Sequence, residues 1–211
     1  MNMKKIISFF IVACCAMCAT AAKVVWQIGV ADNSGTELAL GPSEYKKFLA
    51  HDFGYEDRYF LVGTSVDKND FPYVLPGPDD TWGGTWSTSG WRTHDANILF
   101  GIKKLPKHGK WKLVVDLVDA NPSRSVVKVM VNSAEKKFEI KGHSKGVLEG
   151  NLQDAKEQIL EFPISADDLK KGGNMVTVSV LEGGWIVFDQ IRLEGADELV
   201  LEKNNEYAFL A

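Results

Sequence analysis

Three of the six tryptophans, Trp82, Trp86 and Trp91, fall within ten residues of one another. Glycines and hydroxyls stand between them, in Gly83-Gly84-Thr85 and Ser87-Thr88-Ser89-Gly90. Groups able to pair with hydroxyls flank them: Asp79 and Asp80 before, Arg92, His94 and Asp95 after, with Tyr73 and three prolines further upstream. The chemistry that wants this mixture is sugar recognition. A pyranose has an apolar C–H face that an aromatic ring can cover, and a rim of hydroxyls that charged and imidazole groups can bond. We therefore take Tyr73, Asp79, Asp80, Trp82, Trp86, Trp91, Arg92, His94 and Asp95 as candidate carbohydrate contacts. The alternative is that one or more of these indoles plugs the end of the fold and anchors the connection.

Motifs for other chemistry are mostly missing. The four histidines, His51, His94, His108 and His143, have no ligand spacing. There is no phosphate-binding loop, nucleophile elbow or dinucleotide fingerprint. A Ser89-His94-Asp95 grouping has no spacing that lifts it above chance. Asp79, Asp80, Asp95 and Glu182 could supply the two carboxylates of a glycosidase, but among 28 acidic residues such pairs are expected. No catalytic residue and no metal set is assigned. A structural calcium held by Asp67, Asp70, Asp79 and Asp80 stays open without any EF-hand spacing behind it.

The segment from Phe71 to Asp95 is too rich in proline and glycine for a regular central strand, which predicts a long connection. The rest of the chain must position it, and it reads as strands. Runs rich in β-branched and aromatic residues recur between Gly, Asn, Asp and Pro punctuation. They predict strands near Val24–Ile28, Tyr59–Val62, Asn97–Ile102, Trp111–Val118, Val126–Val131, Lys136–Ile140, Gln158–Phe162, Met175–Leu181 and Trp185–Leu193, with a terminal extended piece at Tyr207–Leu210. Period-two alternation in 126–131 and 136–140, with a turn at Asn132-Ser133, predicts a hairpin. Helix is confined to short turns, one after Pro42 with Ser43 as cap and one at Ser165–Leu169. Trp26, Trp111 and Trp185 lie in or beside strands and are expected in the core. The fold class is all-β: a single β-sandwich, a jelly roll, with one or two short helical turns.

The chain opens with Lys4 and Lys5, an apolar stretch from Ile6 to Met17, and small residues through Ala22. That is the pattern of a secretory signal peptide, so residues 1–21 are expected to be a leader and 22–211 a single domain, secreted or periplasmic. Ile11-Val12-Ala13-Cys14 offers a lipid anchor at Cys14 as the alternative. All three cysteines precede Ala22, so the mature domain has no disulfide, thiol catalysis or cysteine-ligated zinc. The net charge is −4, and losing the two leader lysines makes it more acidic. Nucleic acid and anionic lipid are disfavoured as partners, because both need a positive patch. No apolar run approaches the roughly 20 residues of a membrane-spanning helix.

Several pieces resemble one known module. Trp26-Gln27-Ile28-Gly29 followed by Asp32 and Glu37 resembles the opening of the carbohydrate-binding-like third domain of family 4 polysaccharide lyases, the rhamnogalacturonan lyases. Tyr59-Phe60-Leu61-Val62-Gly63, Asn97-Ile98-Leu99-Phe100, Val129-Met130-Val131-Asn132 and Leu169-Lys170-Lys171-Gly172-Gly173-Asn174 look like the same module. The closing Trp185-Ile186-Val187-Phe188-Asp189-Gln190-Ile191-Arg192-Leu193 is similar to the last strand of galactose-binding-like jelly rolls. This sequence departs in having Asn33-Ser34-Gly35 after Asp32 and no Phe after Glu37. The resemblance implies a galactose-binding-like sandwich and a glycan-related role. In that family the lyase chemistry belongs to a separate domain, so no catalytic residue is carried over. The expected function is a secreted, non-catalytic module binding a pectin-type or related polysaccharide, with glycan-degrading enzymes as partners. A small polysaccharide-degrading enzyme and a protein-contacting subunit of a cell-surface assembly are the alternatives.

Overall fold

The structure, a computed structural model, describes residues 22–42, 44, 47, 57–80, 94–196 and 198–202. The expected leader, the turn capped by Ser43, the stretch with Trp82, Trp86, Trp91 and Arg92, and the piece at Tyr207–Leu210 lie outside the described residues. The described strands are β1 (Lys23–Gly29), β2 (Arg58–Leu61), β3 (Val74–Leu75), β4 (Asp95–Lys104), β5 (Lys110–Ala120) and β6 (Arg124–Val131). They continue with β7 (Ala134–Lys141), β8 (Gln158–Ser165), β9 (Gly172–Glu182), β10 (Ile186–Gly195) and β11 (Val200–Leu201). One helical turn, α1 (Asp67–Asp70), and two 3-10 turns, Lys145–Glu149 and Ala166–Asp168, complete the described elements.

The strands form two sheets. The first runs β1-β10-β5-β8, with β3 also paired to β10. The second runs β11-β4-β9-β6-β7, with β2 also paired to β4. Every pairing is antiparallel except that of β2 with β4. Two short strands share one flank of a long one in each sheet: β3 and β1 pair successive parts of β10, and β2 and β11 successive parts of β4.

Alternation decides which face of each strand is buried. Trp111, Leu113, Val115 and Leu117 of β5, Ile98, Phe100 and Ile102 of β4, Val127, Val129 and Val131 of β6, and Val176, Val178 and Val180 of β9 meet in one core. Trp26, Trp111 and Trp185 are buried there, as expected. Trp26 of β1 and Phe100 of β4 link the layers with ring centroids 5.4 Å apart, and Phe71 bridges Phe60 of β2 and Phe188 of β10 at 5.9 and 5.2 Å. The exposed lysines of β7, Lys136 and Lys137, discourage further strand addition at that edge, and Pro163 in β8 is tolerated because β8 ends its sheet.

The two ends of the family-like pattern are tied together. Gly29 has φ +78°, and a Cβ there would lie 2.2 Å from the Asp189 carbonyl oxygen, so only glycine fits. The Gly29 N–H donates to Asp67 Oδ2 at 2.8 Å, the Val30 N–H to Glu37 Oε1 at 2.6 Å, and the Ser34 N–H to Asp189 Oδ1 at 3.1 Å. Asp189, in the closing strand, thus holds the loop that follows the opening one.

Candidate functional site

The tryptophan-rich connection leaves and returns at one end of the sandwich. Asp79 donates its backbone N–H to the Gly183 carbonyl at 3.0 Å, and Asp95 pairs with Ser179 in the β4–β9 ladder. Ser179 and Gly183 are four residues apart, about 13 Å along an extended chain. The described residues on either side of 81–93 are thus held to neighbouring parts of β9 and the turn after it.

The described flanks are firmly held. Gly77 and Asp80 exchange bonds: the Gly77 N–H donates to Asp80 Oδ2 at 2.8 Å and the Asp80 N–H to the Gly77 carbonyl at 3.1 Å. A Cβ on Gly77 would meet the Gly183 carbonyl oxygen at 2.3 Å, so the two turns touch through bare backbone. Burial pushes the Asp80 carboxyl up to about 6, helped by Asp79 and opposed by backbone N–H groups of Gly77 and Trp185. On the other flank, the Asp95 N–H donates to Asp57 Oδ1 at 3.1 Å, and its carboxylate accepts from the Ser179 hydroxyl.

The structure separates the expected contacts into classes. Tyr73 is 0% exposed, with its hydroxyl donating to the Leu148 carbonyl at 3.0 Å, so its ring faces the core and not solvent. Asp80 and His94 are buried at 8% and 3% exposure, and Asp95 is half-buried. Asp79 is exposed. Trp82, Trp86, Trp91 and Arg92 lie outside the described residues. Of the described members, Asp79 alone is open to solvent.

The four carboxylates weighed for calcium do not converge. Asp67 and Asp70 accept the Gly29 and Val66 N–H groups, while Asp79 and Asp80 belong to the Gly77–Gly183 turn. Among the described residues no group of three or more His, Cys, Asp or Glu is arranged to hold a metal ion. Among them also, no helix is long and apolar enough to cross a membrane.

Two polar centres were not legible in advance. Asp119 is fully buried and accepts four backbone N–H groups, from Ala120, His143 and Ser144 at 2.8–2.9 Å and from Lys156 at 3.2 Å. It fastens the 142–157 connection to the end of β5. On the outer face of the six-stranded sheet, a cleft of about 840 Å³ opens beside Tyr59 and Lys170. Most of its lining residues fall in four of the short motifs read from the sequence, Tyr59–Gly63, Asn97–Phe100, Val129–Asn132 and Leu169–Asn174, but their spacing says nothing of a cavity.

The family profile of the CBM-like domain III of polysaccharide lyase family 4 matches residues 24–193. The chain belongs to that family. The match runs from β1 into β10 and so covers every described strand of both sheets except β11. No curated protein sequence matches the chain. Among solved structures, it is similar to a family 35 carbohydrate-binding module from an environmental isolate, over 53% of this chain and 72% of that one, at 15% identity and TM-score 0.36. The family 35 module of Cellvibrio japonicus Abf62 is similar over 51% and 70%, at 13% identity and TM-score 0.35. A cycloalternan-forming enzyme from Listeria monocytogenes is similar over 62% of this chain and 10% of its own length, at 13% identity and TM-score 0.37. Likenesses of that size carry no argument; the family assignment rests on the profile.

Proposed function

We propose that this domain III is an exported, non-catalytic carbohydrate-binding module that holds a pectin-type or related polysaccharide through residues 79–95. Membership of the CBM-like family over residues 24–193 carries the reading. The tryptophan-rich composition of the connection and its anchoring at one end of the sandwich support it. Asp80, His94 and Asp95 fix the two ends of the connection, and Trp82, Trp86 and Trp91 supply the faces against which sugar rings stack. Asp79 and Arg92 bond the hydroxyls. Cleavage after Ala21 releases the module, and its work is to keep glycan near partner enzymes.

Affinity gel electrophoresis in rhamnogalacturonan, pectin and xylan, with Trp82→Ala, Trp86→Ala and Trp91→Ala variants, tests the site. Retardation by at least one polysaccharide is expected, with at least one variant losing it while keeping its circular dichroism spectrum. Unchanged retention in all three variants removes the loop as the binding surface. Incubation with the same polysaccharides should yield no new reducing ends or unsaturated products; either product would make the chain an enzyme.

A further inference from the structure

None of the described residues of 79–95 lines the cleft of about 840 Å³. Its floor is Leu99 of β4 and Met175 of β9, direct cross-strand partners. Their neighbours Ile98, Phe100 and Val176 point into the core, so this pair faces outward. Tyr59 of β2, with 57% of its surface exposed, bounds one side. Asn132 and Ser133 of the β6–β7 turn, with Asp167 to Lys170 after β8, bound the other. From β2 across β4 and β9 to β6 is three strand spacings, about 14 Å. The volume lies within the roughly 300–1,000 Å³ of small-ligand sites.

The far wall is preformed. Asn132, at φ 54°, donates through Nδ2 to the Asp168 carbonyl at 2.8 Å and to Asn174 Oδ1 at 2.9 Å, and accepts the Met175 N–H at 3.2 Å. Asn174 accepts the Lys170 N–H at 2.9 Å and donates to the Lys170 and Gly172 carbonyls at 2.8 and 2.9 Å. Both amides are spent on holding the wall. The Tyr59 ring and hydroxyl, the Ser133 hydroxyl, the Asp167 carboxylate and the Lys170 ammonium are left. Among the described residues no side-chain hydrogen bond or ion pair occupies them.

That remainder selects a ligand class. An aromatic face beside an apolar floor suits a ring with a C–H face, and a hydroxyl, a carboxylate and an ammonium suit its hydroxyls. Lys170 and Asp167 offset each other, so the rim has no net positive charge with which to hold a polyanion. We propose that this cleft is a second saccharide site, for a neutral oligosaccharide, with Tyr59 as stacking platform and Ser133, Asp167 and Lys170 as hydroxyl partners. It stands independently of the reading of residues 79–95. Two sites on one chain would let it grip a polysaccharide at two points and so raise avidity.

Titrating the ¹⁵N-labelled protein with cellotriose, xylotriose and β-1,4-galactotriose at millimolar concentration tests this. At least one sugar should move the amide signals of Tyr59, Ser133, Lys170 and Met175. Tyr59→Ala should weaken that response roughly tenfold, and Lys170→Ala several-fold; both side chains are exposed, so the fold should survive. A protein carrying Trp82→Ala, Trp86→Ala and Trp91→Ala should show the same cleft shifts. The assignment is overturned if all three sugars leave the cleft amides unmoved, if Tyr59→Ala responds like the parent, or if the triple variant loses the cleft shifts. Loss of polysaccharide retention in the tryptophan variants alone bears only on the other site.

Discussion

Asp116 points away from the core on β5, yet only 3% of its surface reaches solvent. Arg192 Nη1 stands 3.9 Å from its Oδ2, and among the described residues its Oδ1 accepts no hydrogen bond. Burial, then Glu157 and Asp189, push its carboxyl up to about 6 against the pull of Arg192. In the window from about 4 to 6 the folded protein keeps a proton that the unfolded chain has released. The associated stability is present at low pH and lost as pH rises through 6. Asp116→Asn should therefore stabilise the fold over the parent at pH 7.5, by at most the ~3 kcal/mol that two pKa units represent, and lose most of that advantage by about pH 3.5. Thermal melts at both pH values check it; an advantage independent of pH would contradict the assignment. None of this was legible beforehand. Asp116, Asp119 and Asp189 are three among 28 acidic residues, and a carboxylate's burial depends on which backbone N–H groups fold over it. The strand tryptophans Trp26, Trp111 and Trp185 were legible, because a bulky apolar group at a strand position has one low-energy place to go.

Nine described strands coincide with the runs read from sequence, and the structure extends most of them by one to three residues. The 126–131 and 136–140 hairpin turns at Asn132 and Ser133 as expected. The turn after Pro163 forms with Ser165 as cap and Asp168 reaching back to it. Unseen were β3 and β11, of two residues each, α1, and the 3-10 turn at Lys145–Glu149. Such pieces have too few positions to show a period, and their neighbours impose them. The joint between the 76–80 turn and the β9–β10 turn tests this level. Gly77→Ala puts a methyl within 2.3 Å of the Gly183 carbonyl, so the two turns must part. We expect a loss of about 2–4 kcal/mol and, because the tryptophan connection starts there, weaker polysaccharide retention. Urea melts and gel retardation read both; a parent-like midpoint would mean that the joint is loose.

Most pairings in the whole molecule are distant in sequence. β1 lies beside β10, and β2 and β11 lie beside β4. Trp26 and Ile28 of β1 are core residues, and β1 pairs with β10 from Lys23 to Gly29, whereas β11 offers two half-buried residues. A protein ending at Ala196 should fold with a near-parent melting temperature. One starting at Ala31 should not fold cooperatively, since it loses a strand and its share of both aromatic and aliphatic core. Circular dichroism melts of the two decide this, and a cooperative transition in the second would refute the role given to β1.

The sequence by itself determined the class of fold, the positions of nine strands, the buried tryptophans and the family, because all of these follow from local periodicity and short patterns. It also marked residues 71–95 as unlike the rest. The tertiary structure alone decided that Tyr73, Asp80 and His94 are buried, and that Asp189 binds the first loop to the last strand. It alone brought Tyr59, Leu99, Met175 and Lys170 around one cleft. Those relations join residues up to 155 positions apart in sequence, and only sheet register brings such residues together.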